Sequence, residues 1–577
     1  MVKPVSFVSG LFKSRKADVI DADPMRIHIS QNHDADRTGN RIGIAMIAFT
    51  VFCVVVGGRL VQYGVRSPET VSSILPNDRL LASRPDLHDR NGSILATDIR
   101  TVSLYAEPHK ISDPDEVVEQ LALVLPDLDV KKTYRKLSSK SRFQWLRRQL
   151  TPGQQSEILT KGIPGIGFRP EKRRFYPGGP TASHVVGHVN IDNVGIAGME
   201  KFVDGQGLGD LAAVGLTVNK TLEPVKLSID LRVQHILRDE LAAAMERYRA
   251  IATAGVVLNV HTGEVVAMSS LPDYDPNNPV DALKSDRLNR MTGGTFEMGS
   301  TFKAFTTAMA LDSGRVSMND SFDARKPIRI GGFTIRDFHG KNRILSVPEI
   351  FIYSSNIGTA KMADVVGIKG HQEFLTRLGL LSRMQTELPE VATPSQPSKW
   401  KKINSVTISF GHGVSTTPLQ TAVAAAALMN GGKLIAPTFL PRSRAEADTV
   451  AQQVVSEQTS KSMRDMMRLN VEKGSGRNAE VDGYWVGGKT GTAEKVINGR
   501  YSSYVRFNAF LSAFPVDDPQ YVVLVVVDEP KPEEGKKYAT AGTNAAPTVR
   551  EVIRRSASLL GVRPKFGRNG DALLKSY

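Results

Sequence analysis

Gly299-Ser300-Thr301-Phe302-Lys303-Ala304-Phe305-Thr306-Thr307-Ala308-Met309 opens a helix whose Phe302, Phe305 and Met309 recur at helical spacing. Ser300 and Lys303 stand three apart, which puts hydroxyl and amine on one face, roughly 5–6 Å apart at Cβ. There the amine can take the hydroxyl proton and leave a nucleophile. A serine at a helix start also has its own N–H free to meet an oxyanion. Spacing alone is a poor signal, because Ser398-Lys399-Trp400-Lys401 shares it. That second match lies among Pro394, Gln396 and Pro397 in a loop-like stretch, whereas Ser300 leads an apolar helix.

Two further motifs follow in order. In Ser354-Ser355-Asn356, Ser354 can carry a proton between Lys303 and a leaving amine, and the Asn356 amide can orient Lys303 and a substrate carbonyl. Lys489-Thr490-Gly491-Thr492 follows Tyr484-Trp485-Val486-Gly487-Gly488, as a strand forming one wall of a cleft would. Lys489 with the Thr490 and Thr492 hydroxyls suits a substrate carboxylate. Gly491 lets a substrate backbone approach closely, and the Thr492 N–H can pair with that of Ser300 as an oxyanion hole. Taken singly, either motif also fits a structural loop or turn; in this order they predict an acyl-transferring serine enzyme. Lys303 must lose its charge to act as a base, which burial and a second cation, Lys489, both promote. His412, in Ser409-Phe410-Gly411-His412-Gly413, has no paired acid apparent in the sequence and reads as a loop or packing residue.

The chain has 577 residues, which predicts two or more domains. Its formal net charge of +15 suits an anionic membrane or cell-wall surface. No basic helix or aromatic-basic motif points to nucleic acid. The one cysteine, Cys53, lies inside the one strongly apolar stretch, so the rest of the chain is free of thiols and suits an oxidising compartment. Thiolate metal sites and a His-Glu-x-x-His zinc motif are both lacking. Ile42 to Gly58 is uncharged and flanked by Arg41 and Arg59. At ~1.5 Å per residue it covers about 25 Å, which snorkelling arginines extend to a bilayer. Lys13, Arg15, Lys16, Arg26, Arg37 and Arg41 precede it, so the positive-inside rule leaves the start of the chain in the cytoplasm.

The expected organisation is a cytoplasmic tail over 1–40, a transmembrane helix over 41–63, a Pro- and Gly-punctuated region over 64–222, an α/β domain over 223–565 and a tail over 566–577. Asn91-Gly92 reads as a turn into a strand from Ser93. Asp230 can cap a helix to about Tyr248 with Val233, Leu237, Leu241, Met245 and Tyr248 as its stripe. Ala254–Leu258 and Glu264–Met268 read as a hairpin, Phe507–Ala513 and Tyr521–Val527 as strands, and Pro547 to about Leu560 as a helix. Thr417-Pro418 starts a helix that Gly431-Gly432 ends. The charged stretch Pro530 to Lys537 reads as a solvated hairpin tip; the alternative is a substrate-side role, since it would join two strands near the Lys-Thr-Gly strand.

Ser300-x-x-Lys303, Ser354-Ser355-Asn356 and Lys489-Thr490-Gly491 together resemble the motifs of penicillin-binding proteins and serine β-lactamases. Arg84 with Asp89-Arg90-Asn91-Gly92, Tyr176-Pro177, Gly187 and Gly198-Met199-Glu200 look like the non-catalytic pedestal of class B penicillin-binding proteins. Gly263–Met268 with Leu271–Asn277 looks like the lead-in of the cell-division type. Pro85 stands where the family usually has glycine, and Met298 where it has the proline of Glu-Pro-Gly-Ser. The resemblance implies a β-lactamase-like antiparallel sheet with a helical insertion, an elongated pedestal and one membrane anchor. It implies a septal peptidoglycan D,D-transpeptidase, single-pass in the inner membrane with its catalytic domain in the periplasm. Ser300 would be acylated by stem peptides and by β-lactams, no metal or organic cofactor is implied, and a SEDS-type glycan polymerase and other division proteins would be membrane partners. An elongation-type transpeptidase, a D,D-carboxypeptidase or β-lactamase, and a catalytically silent scaffold or β-lactam sensor are the competing readings.

Overall fold

The computed structural model describes residues 46–57 apart from 48 and 55, residues 84–208, and residues 222–566 apart from 498. The expected tail over 1–40, much of the span over 41–63, and the tail beyond 566 lie outside the described residues. The described residues of that span, 46, 47, 49–54, 56 and 57, are helical, and Phe49, Phe52 and Val54 stand more than half exposed. Among the described residues, no helix is long and apolar enough to cross a membrane.

The Asn91-Gly92 turn forms as expected. The Asp89 carboxylate accepts the N–H groups of Asn91 (2.9 Å) and Ser93 (2.7 Å), and Gly92 takes a φ of +90° that favours glycine. The chain then enters β1 (Ile94–Ala106). β1 pairs antiparallel at its far end with β2 (Gln144–Leu150), and with β3 (Ile166–Phe175) from Thr97↔Phe175 to Ala106↔Ile166. Two short helices cover this sheet: α1 (Pro114–Val124), capped by Asp113 with Pro114 at its first position, and α2 (Val130–Leu137). Leu104, Leu121, Leu125, Leu137 and Leu150 close a small core of their own.

Below that core the pedestal is held by charge. Glu200 is fully buried and takes Arg84 Nε on one oxygen (2.9 Å) and Arg174 Nε on the other (2.7 Å). Arg174 also donates to Asp98 (3.1 Å) and the Pro85 carbonyl (2.8 Å), and Arg84 reaches Asp204 and the Asn193 carbonyl. The donors are spent on fixed acceptors, which is what makes buried guanidinium groups tolerable. The sequence separations, 116 residues for Arg84–Glu200 among them, tie the beginning of the pedestal to its end.

The pedestal is joined to the catalytic part without a gap. The second Asp89 oxygen accepts the Leu231 N–H (3.1 Å) at the start of α3 (Leu231–Arg247). Tyr176, Val185 and Met199 belong to the same apolar cluster as Phe302, Phe305 and Leu419. α3 runs to Arg247 with Asp230 as its cap, as its apolar stripe predicts. The hairpin is β4 (Ala252–Asn259) and β5 (Val265–Leu271). The chain then passes through α4 (Phe302–Asp312), α5 (Asn356–Val366), α6 (Pro418–Met429) and α7 (Glu457–Lys473) before returning to the sheet. It re-enters as β6 (Gly487–Ile497), β7 (Arg500–Phe514) and β8 (Tyr521–Asp528) and ends in α8 (Ala545–Ser556). The antiparallel order is β6-β7-β8-β4-β5, built from both ends of the domain as expected. Leu237, Leu241, Val549 and Ile553 of α3 and α8 pack one face. On the other lies α6, buried along its whole length because Pro418–Met429 carries almost no polar side chain.

Two expectations need correcting. The last helix starts at Ala545 and ends at Ser556, earlier than Pro547 to Leu560, because Asn544 caps it through the Ala545 N–H. Residues 529–544 are not a hairpin tip between strands. They lead from β8 into α8, and Thr540, Gly542 and Thr543 line the catalytic cleft. Alternating charge and proline describe a solvated loop correctly but say nothing of which elements it joins.

Breaking the pedestal cluster by Glu200→Ala strands two buried guanidinium groups, a loss of about 3–5 kcal/mol. The thermal unfolding midpoint of the chain should fall clearly, whereas Lys369→Ala, which removes the exposed partner of Glu373, should leave it in place.

Candidate active site

Ser300 sits in a single 3-10 turn, Gly299–Thr301, that runs into α4. Gly299 has φ +53°, and a Cβ there would lie 3.0 Å from the Thr492 carbonyl carbon. The Ser300 turn therefore rests directly on edge strand β6. Thr301 bonds back to the Met298 carbonyl (2.8 Å), and Thr306 ties α4 to the Ser409 carbonyl (2.7 Å).

Lys303 is fully buried one turn on. Its Nζ donates to the Ser354 carbonyl (2.6 Å) and lies 3.0 Å from Ser354 Oγ. Lys489 Nζ donates to the same Oγ from the other side (3.0 Å) and to the Thr490 carbonyl (3.3 Å), with its ammonium 5.8 Å from the Phe351 ring centroid. Ser354 reaches both amines because its backbone is left-handed, φ +54°, a conformation that costs a non-glycine residue of order 1–3 kcal/mol. Ser355 fixes that turn: its Oγ accepts the Gly358 N–H (3.0 Å) and donates to Asp337 (2.8 Å), which also accepts the Ile357 N–H (2.9 Å).

Burial lowers the Lys303 amine well below its ordinary value, and the neighbouring Lys489 charge lowers it further against a weaker pull from Asp337. Burial alone brings Lys489 down to about 7. Two ammonium groups on one hydroxyl repel each other, so each makes the other easier to deprotonate, and burial favours the neutral amine at both.

The predicted residues converge on a cleft of about 630 Å³ that Ser300, Lys303, Ser354, Asn356, Thr490 and Thr492 help to line. Lys489 lies beneath it. Two assigned roles differ from expectation. The Asn356 amide donates to the Arg336 carbonyl (2.9 Å) and does not touch Lys303, whose bonds go to Ser354. Gly491 faces the Ser300 turn: a Cβ there would lie 2.4 Å from the Met298 carbonyl oxygen, so glycine is needed for the turn to seat. The backbone that approaches Gly491 closely is the protein's own and not a substrate's.

Other residues had no motif to announce them. Ser475 bonds Thr490 Oγ1 (2.6 Å), and the buried Asn470 holds both Ser475 and the Gly488 carbonyl (2.7 Å). His412 does have a paired acid, contrary to the reading from sequence. Glu297 Oε2 meets His412 Nδ1 at 3.0 Å, while Oε1 accepts the Gly413 N–H (2.7 Å) and the Tyr501 hydroxyl (3.0 Å). Its position three residues before Ser300 was the available signal. Ser398 is exposed at a turn before the helix Lys402–Ser409, so the second Ser-x-x-Lys match has no such surroundings.

A family model described as the penicillin binding protein transpeptidase domain matches residues 253–554, and one for the penicillin-binding protein dimerisation domain matches 79–206. The chain is 40% identical to a Caulobacter vibrioides protein named as a probable peptidoglycan D,D-transpeptidase FtsI, over 84% of this chain and 82% of that one. It is 32% identical to the probable peptidoglycan D,D-transpeptidase PenA of Neisseria gonorrhoeae, over 91% and 94%. The peptidoglycan D,D-transpeptidase FtsI of Escherichia coli is 30% identical over 85% and 86%.

Lys303→Met removes the base and the cost of burying an amine together. Acylation should fall on the order of 10²–10⁴-fold, with no drop in the unfolding temperature; a misfolded variant would lose both. In the wild type, acylation should rise with pH as Lys303 is released from its proton, measured by stopped-flow with a chromogenic cephalosporin.

Proposed function

The chain belongs to the class B penicillin-binding protein transpeptidases of the cell-division type, and on that footing we propose that Ser300 carries the acyl ester through which it crosslinks stem peptides. It is a peptidoglycan D,D-transpeptidase acting in septal wall synthesis. The observation that carries the assignment to Ser300 is the pair of buried amines meeting at Ser354 Oγ, 3.0 Å from each, in the cleft lined by Ser300, whose 3-10 turn leads into the helix of Lys303.

Ser300 Oγ gives its proton to neutral Lys303 and attacks the carbonyl between the two terminal D-alanines. The backbone N–H groups of Ser300 and Thr492 receive the oxyanion, each worth about 2.7–4 kcal/mol in such sites. Lys303 passes its proton through Ser354 to the departing amine, and D-alanine leaves. Lys489 keeps Ser354 oriented. Thr490, with Ser475 bonded to it, and Thr492 hold the substrate carboxylate. Penicillins fit the donor's place and acylate the same oxygen. An acceptor amine from a second stem then attacks the ester.

The same reading places the outer unit on the periplasmic face of the inner membrane, with one anchor over 41–63 and a tail over 1–40 in the cytoplasm. The apolar run between Arg41 and Arg59, the cations before it and the exposed apolar side chains of the helix at 46–57 support this. Within it, 64–222 is the pedestal and 223–565 the catalytic domain. A SEDS-type glycan polymerase is the partner that the anchor and pedestal would meet.

A fluorescent penicillin should label the wild type and Ser398→Ala equally and leave Ser300→Ala unlabelled. A labelled Ser300→Ala would sink the assignment. Cells depleted of the protein should grow as filaments; round cells would point to elongation instead.

A further inference from the structure

Acyl transfer to an amine has a proton surplus that Lys303 does not absorb. In the first half-reaction Lys303 takes one proton and returns it to the leaving amine, so it is neutral again when the acceptor arrives. The acceptor arrives as an ammonium and has two protons to lose: one belongs on Ser300 Oγ when the ester breaks, and the other needs a second base. His412 is placed for it.

The His412 loop is locked to the nucleophile. Its Gly411 has φ +90°, and a Cβ there would lie 1.9 Å from the Gly299 carbonyl oxygen, so the loop backbone lies flat against the residue preceding Ser300. His412 N–H bonds the Thr407 carbonyl (3.1 Å), and its ring packs edge-on against Tyr501 and Phe410. Burial would raise the Glu297 carboxyl, but hydrogen bonds from His412, the Gly413 N–H and Tyr501 hold it below its ordinary value. A carboxylate only accepts, so Nδ1 carries a hydrogen, and in the neutral ring the lone pair is on Nε2. Among the described residues Nε2 has no hydrogen-bond partner, and His412 lines the cleft with Ser300.

Thr490, Thr492 and Glu494 alternate along β6 and all line the cleft, spanning about 13 Å at ~3.3 Å per residue. Ser475 bonds Thr490 Oγ1 (2.6 Å), so hydroxyls gather at that end, which suits a carboxylate. At the other end Glu494 stands opposite Arg506 of β7, which also lines the cleft, so the carboxylate that backs His412 is Glu297, with Tyr501 bonded to it. Glu494 and Glu297 both push the Tyr501 hydroxyl upward after burial has done so, and it stays protonated as a donor to Glu297.

We propose that Glu297, His412 and Tyr501 form the subsite for the acceptor amine, with His412 Nε2 taking the first proton from the acceptor ammonium. The inference rests on the transpeptidase reading above. The free amine forms the C–N bond at the ester carbonyl, and the oxyanion collapses with loss of the C–O bond to Ser300. The second proton on nitrogen passes through Ser354 and Lys303 to Ser300 Oγ. The imidazolium, balanced by Glu297, returns its proton to water, leaving an amide and a free serine.

The test uses the full chain in detergent with a D-alanyl thioester donor and D-alanine as acceptor, separating hydrolysis from aminolysis. His412→Gln keeps a polar side chain of similar reach but cannot take the proton. Its acylation by a fluorescent penicillin should stay within about twofold of wild type while aminolysis falls on the order of 10²-fold. Raising the pH until D-alanine is free base should close most of that gap. Glu297 and Tyr501 touch His412, and Glu494 on β6, Arg506 on β7 and Lys303 on α4 share its cleft; Lys303 and Lys489 shed protons over the same range in both proteins, so the quantity compared is the ratio of aminolysis to acylation in the variant against that in the wild type. Aminolysis at the wild-type rate, a parallel fall of acylation and aminolysis, or a gap that high pH leaves untouched would each overturn the proposal. A wild type that penicillin does not acylate would strike the transpeptidase reading instead.

Discussion

Two amines cannot share one hydroxyl in a water-poor site and both stay charged, and the catalytic domain is arranged around that constraint. α4 supplies Lys303, the helical insertion supplies Ser354, and the edge strand supplies Lys489, three segments spread over nearly two hundred residues. The arrangement opposes folding. Taking Lys489 from 10.5 to about 7 corresponds to about 5 kcal/mol of disfavoured charge. That cost is felt at neutral pH, where the unfolded chain holds the proton more tightly, and fades as the pH rises toward 10.5. Only a domain with a large apolar interior can bear it. The continuous cluster from Met199 through Phe302 and Leu419 to Leu524 is that interior.

Much of this was legible in the sequence because it is written in local patterns. The 3.6-residue stripe of α3, the Thr417-Pro418 start and Gly431-Gly432 stop of α6, and the apolar runs of β7 and β8 each depend on neighbours in the chain. The reacting trio was legible for a different reason: hydroxyl and amine types at fixed spacing are rare enough in combination to be read as chemistry. What escaped was long-range. Nothing near His412 says that Glu297, 115 residues earlier, turns toward it. Nothing near Gly491 says that the Met298 carbonyl fills the space a side chain would take. Asn356 was assigned to Lys303 by proximity in a motif, and its partner lay twenty residues back, at Arg336.

The pedestal follows other rules. Its upper part closes a leucine core of ordinary kind, but its lower part is organised by Arg84, Arg174, Glu200 and Asp98, whose burial contributes less to stability than to a unique arrangement. A guanidinium in a fork of fixed acceptors tolerates only one register of the segments that carry them. Asp89 extends that register into the catalytic domain, since one carboxylate serves both the Asn91-Gly92 turn and the first N–H of α3. The two parts therefore share a joint with little rotational freedom.

The left-handed backbone of Ser354 narrows the substitutions open to the site over evolutionary time. Threonine would keep the hydroxyl, but a β-branched side chain fits that conformation badly; glycine, asparagine and aspartate would sit there comfortably and lose it. Serine alone satisfies both the geometry and the relay. A lineage under antibiotic pressure therefore has no conservative neighbour to drift to at this position, and changes that blunt acylation must be found at the periphery of the cleft, where the backbone is relaxed.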